Sequence, residues 1–475
     1  MGALPERSLQ RIQDRQISPA LTQWSAFILA TKPQLFDLEG YDSAVALWQS
    51  RYPQHNVPQH LIERLRKAIA KRSQYPKTVA LLLPLSGSFS EQASSVRDGF
   101  LGAYYNSQRD DLPRVHILDT QGEEAGLTAA VDEALKLDVQ MIVGPLLKSS
   151  IEQLAARRDI RIPVLALNRL DDRDMADKQL HAPLFQFGLM PEDEGVQAAR
   201  MAIVRNQVNA LLLLPDNALG QRLGKAFRNE FATFGGHLLT TEYYDPEAAD
   251  YGSAVKSALN TRQSESRLSI LQTVLRRRVG FDARRRQDVD VIYLVAQPRQ
   301  ARSIKPLLKF HDAGEVPVLA NSTLYTGTEN PRLNRDIDGV TFTIMPWDIQ
   351  AEETPLRQQL AELWPRDAAR FSSLFALGAD AFKLIPHLGT MASNPQYHTG
   401  GYTGHLSADE QGRIHRELMW AEYKEGQVKI VENDLLDLIP IENTEPTEPN
   451  TLKLKEEQAN NEMDQTQKPP KDSAR

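Results

Sequence analysis

The sequence contains no cysteine among its 475 residues. That removes disulfide scaffolds, zinc–thiolate sites, iron–sulfur clusters and thiol nucleophiles in one step. It fits an oxidising compartment such as the bacterial periplasm, although many cytosolic chains also do without Cys. No run of about 18 apolar residues occurs, so no bilayer-spanning helix is expected. Aromatic residues are few, at 7%, yet 41% of the chain is hydrophobic and 25% charged, the balance of a globular protein. A net charge of −7 gives no electrostatic case for nucleic acid as a partner. Catalytic signatures are missing as well: no GxSxG elbow, no HExxH, no Walker loop and no GxGxxG after a strand. His387, His398, His405 and His415 are close in sequence but form no i, i+4 pair. No metal site, no cofactor and no enzymatic activity are therefore expected. The opening MGALPERSLQ has neither a basic nor an apolar signal region, and Glu6 stands where myristoylation wants Ser or Thr. A fragment or a differently started chain is expected.

At roughly 100–200 residues per domain, the length predicts two to four domains. Residues 1–75 read as helices only. Tyr41, Val45, Trp48 and Tyr52 form one apolar stripe, and Leu61, Leu65, Ala68 and Ile69 another. Pro33, Pro53 and Pro58 punctuate the joins, so this segment predicts a remnant of an α-helical (TPR-like) repeat domain. The alternative is a small helical cap on the next domain.

From residue 77 the period changes. TVALLLPL (78–85), VHILDT (115–120), MIVGPL (141–146) and PVLALN (163–168) read as strands buried on both faces. Helical stretches at 91–106, 123–137 and 149–158 separate them. A second run follows with NALLLLPD (209–216), HLLTTEYY (237–244), VDVIYLVA (289–296) and PVLANS (317–322). Its helices are expected at 192–206, 219–234, 250–278 and 299–312. Eight such strands suit two similar α/β lobes, each a parallel sheet flanked by helices. GVTFTIMPW (339–347), a helical stretch at 356–391 and antiparallel strands within 405–431 complete the fold. Residues 441–475 lack aromatics and glycine, and are expected to be a disordered tail.

Two groups of residues are candidates for binding. After the first strand, Ser86, Gly87 and Ser88 make a tight turn into a helix, at the carboxyl end of a sheet where α/β proteins bind anionic ligands. Asn168, Asp216, Asn217, Asn321 and Ser322 also follow strands and are candidates for the same crevice. The alternative is that all are turn and capping residues, which Ser, Asn, Asp and Gly favour anyway. The second group is TRQSESRLSILQTVLRRRVGFDARRRQ (261–287), which holds eight arginines against Glu265 and Asp282. Arg276, Arg277, Arg278, Arg284, Arg285 and Arg286 are its densest part. Such a run is either a solvated face or a docking patch for an acidic protein surface or anionic glycan.

LLLPLSG with VRDGFLGAYY, then VGPLLKSSIEQL (143–154), FQFGLMPEDEG (185–195) and ADYGSAV (249–255), resembles the type I periplasmic binding proteins. More narrowly, these segments resemble the C-terminal domain of the LppC or LpoA family. DVDVIYLVAQPRQARSIKPLLKF (288–310), FALGADAFKLIPHL (375–388) and GYTGHLSADEQGRIHREL (401–418) extend the likeness over nearly all of 77–431. That resemblance implies a non-enzymatic outer-membrane lipoprotein, at the inner face of the outer membrane, which activates a class A penicillin-binding protein in peptidoglycan synthesis. Peptidoglycan itself is a further partner to consider. Full-length members carry a lipid-attachment cysteine and a longer helical-repeat domain, neither of which this sequence contains. The resemblance also implies a two-lobed domain over 77–437. Lobe one takes about 77–188 and 347–398, lobe two about 189–346 and 399–437. Crossings are expected near Leu189–Pro191, Met345–Trp347 and Gly400–Thr403. The competing class is a periplasmic receptor closing its lobes on an amino acid or peptide.

Overall fold

The computed structural model describes Leu9, residues 12–13 and residues 18–431, apart from 35–37, 56, 73–74, 171–182, 263–269, 271, 277–283, 328–329, 350–353 and 395–396. The expected tail at 441–475 lies outside the described residues.

Leu9 and residues 12–13 are helical, and α1 (Pro19–Thr31), α2 (Leu38–Arg51) and α3 (Gln59–Arg72) follow. The Ser18 hydroxyl caps α1 by accepting from Leu21 N at 3.2 Å, and Pro19 follows at the first helical position. Their apolar stripes meet in a cluster of Phe27, Tyr41, Val45, Trp48, Ile62 and Ile69. The Tyr41 hydroxyl donates to Ile62 O at 3.0 Å, so its polar tip is satisfied inside that cluster. Tyr75 then stacks on Phe382 at 5.1 Å, seating the end of the helical segment on the core that follows.

That core is built from β1 (Thr78–Leu83), α4 (Ser90–Asn106), β2 (Arg114–Asp119), α5 (Glu124–Lys136), β3 (Met141–Val143), α6 (Lys148–Ala156), β4 (Val164–Ala166) and β5 (Leu184–Phe187). The second unit runs α7 (Pro191–Val204), β6 (Asn209–Pro215), α8 (Ala218–Thr233), β7 (His237–Tyr244), α9 (Gly252–Ala258), β8 (Val291–Leu294), α10 (Pro298–Phe310), β9 (Val318–Ala320) and β10 (Val340–Ile344). Helices α11 (Pro355–Leu363) and α12 (Pro365–Leu384) return to the first core. Five strands end the described residues: β11 (His398–Gly400), β12 (His405–Ala408), β13 (Arg413–Glu417), β14 (Met419–Lys424) and β15 (Gln427–Ile430).

The first sheet has the order β11-β12-β13-β5-β4-β3-β1-β2, the second β15-β14-β10-β9-β8-β6-β7. Both contain the same core order, with the first strand between the second and third and parallel to both. This is the two-lobed, binding-protein-like α/β fold. Each sheet reverses its winding between its first and third strands, and ligands of open α/β sheets bind at such switch points.

Four expectations change. Residues 398–417 belong to the first sheet, because β13 pairs in parallel with β5 through Arg413–Gln186 and Ile414–Phe187. The third crossing is therefore at Leu418, not Gly400–Thr403, and lobe one extends beyond 398. The physical reason is that β5 would otherwise be an open edge of a buried parallel sheet. The expected helix at 250–278 is interrupted after Ala258, where Asn260 turns the chain with φ +60, and residues 261–262, 270 and 272–275 are helical again. The stretch 356–391 is divided before Pro365, bends at Phe371 and breaks again at Pro386. Strands β5 (LFQF) and β11 (HTG) were not expected, since neither contains a continuous Val/Ile/Leu run.

Helices α4 and α12 cross at backbone contact. A Cβ on Gly99 would sit 2.0 Å from Phe375 O, and one on Gly378 would sit 1.9 Å from Val96 O. Glycine is required there by the approach itself.

Candidate functional site

Ser86, Gly87 and Ser88 lie at the switch point of the first sheet, all three exposed, with Gly87 at φ +81. The turn already holds an anion of its own. One carboxylate oxygen of Asp119, at the end of β2, accepts from Leu85 N at 2.8 Å, Ser86 N at 3.3 Å and Gln121 N at 2.8 Å. Burial raises the Asp119 pKa, but the Ser86 hydroxyl and these backbone donors outweigh it and hold the carboxyl below its usual range. An incoming anion would meet a negative charge there.

The other crevice candidates are also engaged within the chain. Asn168 donates to Leu146 O at 3.1 Å and accepts from Arg169 N at 2.9 Å. Asn217 caps α8 by accepting from Gly220 N at 3.0 Å. Asn321 is buried and accepts from the Thr323 hydroxyl at 2.9 Å. Ser322 gives its N–H and its hydroxyl to Glu194, at 2.6 and 2.9 Å. Asp216 is exposed at the second switch point. The structure thus puts Ser86–Ser88 and Asp216–Asn217 at their two switch points, Asn168 and Asn321–Ser322 after the neighbouring strands, and spends most of their polar groups on loop geometry.

Of the arginines, Arg276 and Arg284 are exposed. Arg285 donates to Asp312 O at 2.6 Å, and Arg286 pairs with Asp288 at 2.8 Å. Arg277 and Arg278 lie outside the described residues. Beside Arg276, the side chains of Ile270, Val274 and Leu275 are 63%, 74% and 53% exposed.

What the sequence reading missed is the polar lock at the lobe crossings. Asp193 and Gln197 occupy one face of α7, four residues apart. Asp193 lies 3.2 Å from the His415 Nδ1 and accepts from Arg416 N at 3.3 Å, while His415 Nε2 reaches Asp409 at 3.1 Å. Gln197 donates to Leu418 O at 2.6 Å and accepts from Leu418 N at 3.0 Å. Burial opposes charge on His415, but its two carboxylate partners outweigh that and push the ring up to about 9. Lobe two's first helix is therefore tied to lobe one's last strand and to the crossing itself. On the same helix Glu194, 5% exposed, accepts from Ser322 and from the Thr343 hydroxyl at 2.6 Å. The only sequence signal was the acidic run PEDEG with a Gln one turn later.

A second buried carboxylate works in lobe one. Asp380 accepts from Tyr402 N, Thr403 N and the Thr403 hydroxyl, each at 2.7 Å. It anchors the segment expected to be a crossing. A groove of about 300 Å³ lies between α11 and α12, floored by Trp347 and Phe375 with Arg357 at its side. Among the described residues no cluster of three metal-ligating side chains occurs, and no helix is long and apolar enough to cross a membrane.

The family description "LppC putative lipoprotein" fits residues 4–426. The chain belongs to the LppC family. A relative, the penicillin-binding protein activator LpoA of Vibrio cholerae, is 30% identical over 410 residues, covering 85% of this chain and 66% of its own length. The LppC chain thus spans just under two thirds of that relative. The structure of Haemophilus influenzae LpoA matches at TM-score 0.60 and 24% identity, over 91% of this chain and 72% of that one. The LpoA C-domain from the same organism, described as a regulator of PBP1A, matches at TM-score 0.56 and 25% identity. It covers 74% of this LppC chain and 99% of its own.

Proposed function

We propose that this LppC-family chain is a non-enzymatic activator of a class A penicillin-binding protein in peptidoglycan synthesis. The observation that carries the reading is the 30% identity to a penicillin-binding protein activator over 85% of the chain. The site geometry agrees with it. Asn168, Asn217, Asn321 and Ser322 are engaged within the chain and Asp119 already fills the first turn, which favours an activator over a solute receptor. The lock of Asp193 and Gln197 on β13 and Leu418 suits a rigid docking body better than a closing clamp.

Activation then requires the chain to bind the active conformation of the synthase more tightly than the inactive one. A tenfold shift in that equilibrium takes about 1.4 kcal/mol of differential binding. On this reading the protein works in the periplasm, at the inner face of the outer membrane. The test is to add the purified chain to a class A penicillin-binding protein and follow binding together with glycan polymerisation and cross-linking rates. Saturable binding with a raised rate is expected. Binding without acceleration, or peptidoglycan turnover by the chain alone, would reject the proposal.

A further inference from the structure

His415 stands between two carboxylates that belong to different lobes. Its Nδ1 is 3.2 Å from Asp193 on α7, and its Nε2 is 3.1 Å from Asp409, between β12 and β13. A neutral imidazole has one N–H and one lone pair, so only the protonated ring can donate to both. Both carboxylates are fixed by other donors. Asp409 accepts from Gln411 N at 3.0 Å and Arg413 N at 2.8 Å, and Asp193 from Arg416 N at 3.3 Å. Burial raises the Asp409 carboxyl, but the His415 ring and Arg413 outweigh it and hold it below its usual range. The other charges facing the site are Arg169 and Arg416, each 3.8 Å from Asp193. The neighbouring acids of α7 turn elsewhere, Glu192 to Arg222 and Glu194 to Ser322 and Thr343. The ring is 40% exposed, so its proton exchanges with solvent.

We infer that the His415 proton is a latch between the lobes: with it α7 is held on β13, and without it α7 lifts from β13 far more often. The latch belongs to the chain alone and goes beyond the activator reading, so either can fail without the other. Losing the proton leaves the ring one donor for two carboxylates, and one of them then faces a lone pair. The other contacts across this seam do not respond in the same way. The two Gln197 bonds to Leu418 are neutral, and Arg169 and Arg416 keep their charge throughout. Histidine is the side chain that ordinarily changes charge near neutral pH. Burial opposes charge on His415, its two carboxylates outweigh burial, and the ring sits at about 9 with α7 seated. When α7 lifts, Asp193 leaves and the ring falls back toward the ordinary 6.5. Seating α7 therefore takes up a proton. The latch is fully held below pH 6.5 and is lost as pH rises through 9, the lifted fraction growing by up to about tenfold per pH unit between. A partner that grips both lobes selects the latched form and favours the protonated ring.

Hydrogen exchange reads the latch, because the Arg416 and Leu418 N–H groups bond the Asp193 and Gln197 side chains across it. Exchange of the full chain is followed by mass spectrometry at pH 6.5 and pH 9, over residues 413–419 and, as the reference for global opening, over β1. Protection is corrected for the intrinsic pH dependence of amide exchange. In the parent, 413–419 should be less protected than β1 and should lose at least about tenfold in protection between the two pH values. His415→Gln should show the parent's high-pH protection already at pH 6.5, with no further fall. Asp193→Asn, which keeps the ring and removes the charge across the seam, should do the same. Protection of 413–419 equal to that of β1 at both pH values means that α7 never lifts by itself, and overturns the latch. A fall of the same size in His415→Gln assigns the pH response to another group and overturns it too.

Discussion

Replacing Asp193 by alanine should strip the anion from the crossing. Its side chain is 5% exposed and faces Arg416, itself 3% exposed, with the Arg416 Nε 3.8 Å from one carboxylate oxygen. Arg169 approaches to 3.8 Å from lobe one, and His415 to 3.2 Å. Without Asp193, the Arg416 guanidinium keeps its 3.1 Å bond to Met190 O but has no countercharge among the described residues. Breaking a buried pair on one side costs about 3–5 kcal/mol. A pH signature accompanies the loss. The His415 ring sits at about 9 in the folded chain against an ordinary 6.5, so its stabilisation is complete below pH 6.5 and disappears as pH rises through 9. Unscreened, that shift would be worth roughly 3 kcal/mol. The ring is 40% exposed, so solvent holds it to about 1–2 kcal/mol. Urea unfolding followed by circular dichroism at pH 6 and pH 9.5 measures both quantities. The parent should lose about 1–2 kcal/mol between the two pH values through this ring. Asp193→Ala should start about 3–5 kcal/mol lower and show a flatter slope, and His415→Gln should flatten it with Asp193 intact. A loss below about 1 kcal/mol at pH 6, or an unchanged slope in Asp193→Ala, refutes the argument.

Glu194→Ala leaves the Ser322 N–H and the Ser322 and Thr343 hydroxyls without their acceptor, at a cost of about 3 kcal/mol in urea midpoint experiments; Glu194→Gln should lose less. Gly378→Ala drives a Cβ to 1.9 Å from Val96 O and should cost about 3 kcal/mol or more, whereas Gly389→Ala, with nothing within 4 Å, should be neutral or gain up to about 1 kcal/mol. Equal effects in these two glycine variants would contradict the helix crossing described above. Amino acids and cell-wall peptides should leave the melting temperature unchanged, since a ligand at a hundredfold excess over its Kd adds roughly 2.7 kcal/mol; a shift lost on Ser86→Ala would restore the receptor reading.

How much was legible beforehand varies with the length scale of each feature. The near-continuous Val/Ile/Leu runs at 78–85 and 209–216 told of parallel strands buried on both faces, because a residue's water-avoiding character is its own property. The stripes of Tyr41, Val45 and Trp48, the α/β alternation and the matching pair of strand runs were equally readable, as was the family likeness. The partner of β13 was not. A strand carries no label for the sheet it joins, and β13 and β14 are separated by Leu418 alone while pairing with β5 and β10 in different lobes. Nor could composition say that Ser86 and Ser322 answer to Asp119 and Glu194, which lie 33 and 128 residues away. Periodicity is written in neighbours along the chain, so the sequence by itself determined the elements and their class. Strand order at the edges, the Leu418 crossing and the Asp193 lock depend on which distant donors and acceptors can be buried together, and only the tertiary structure decided those.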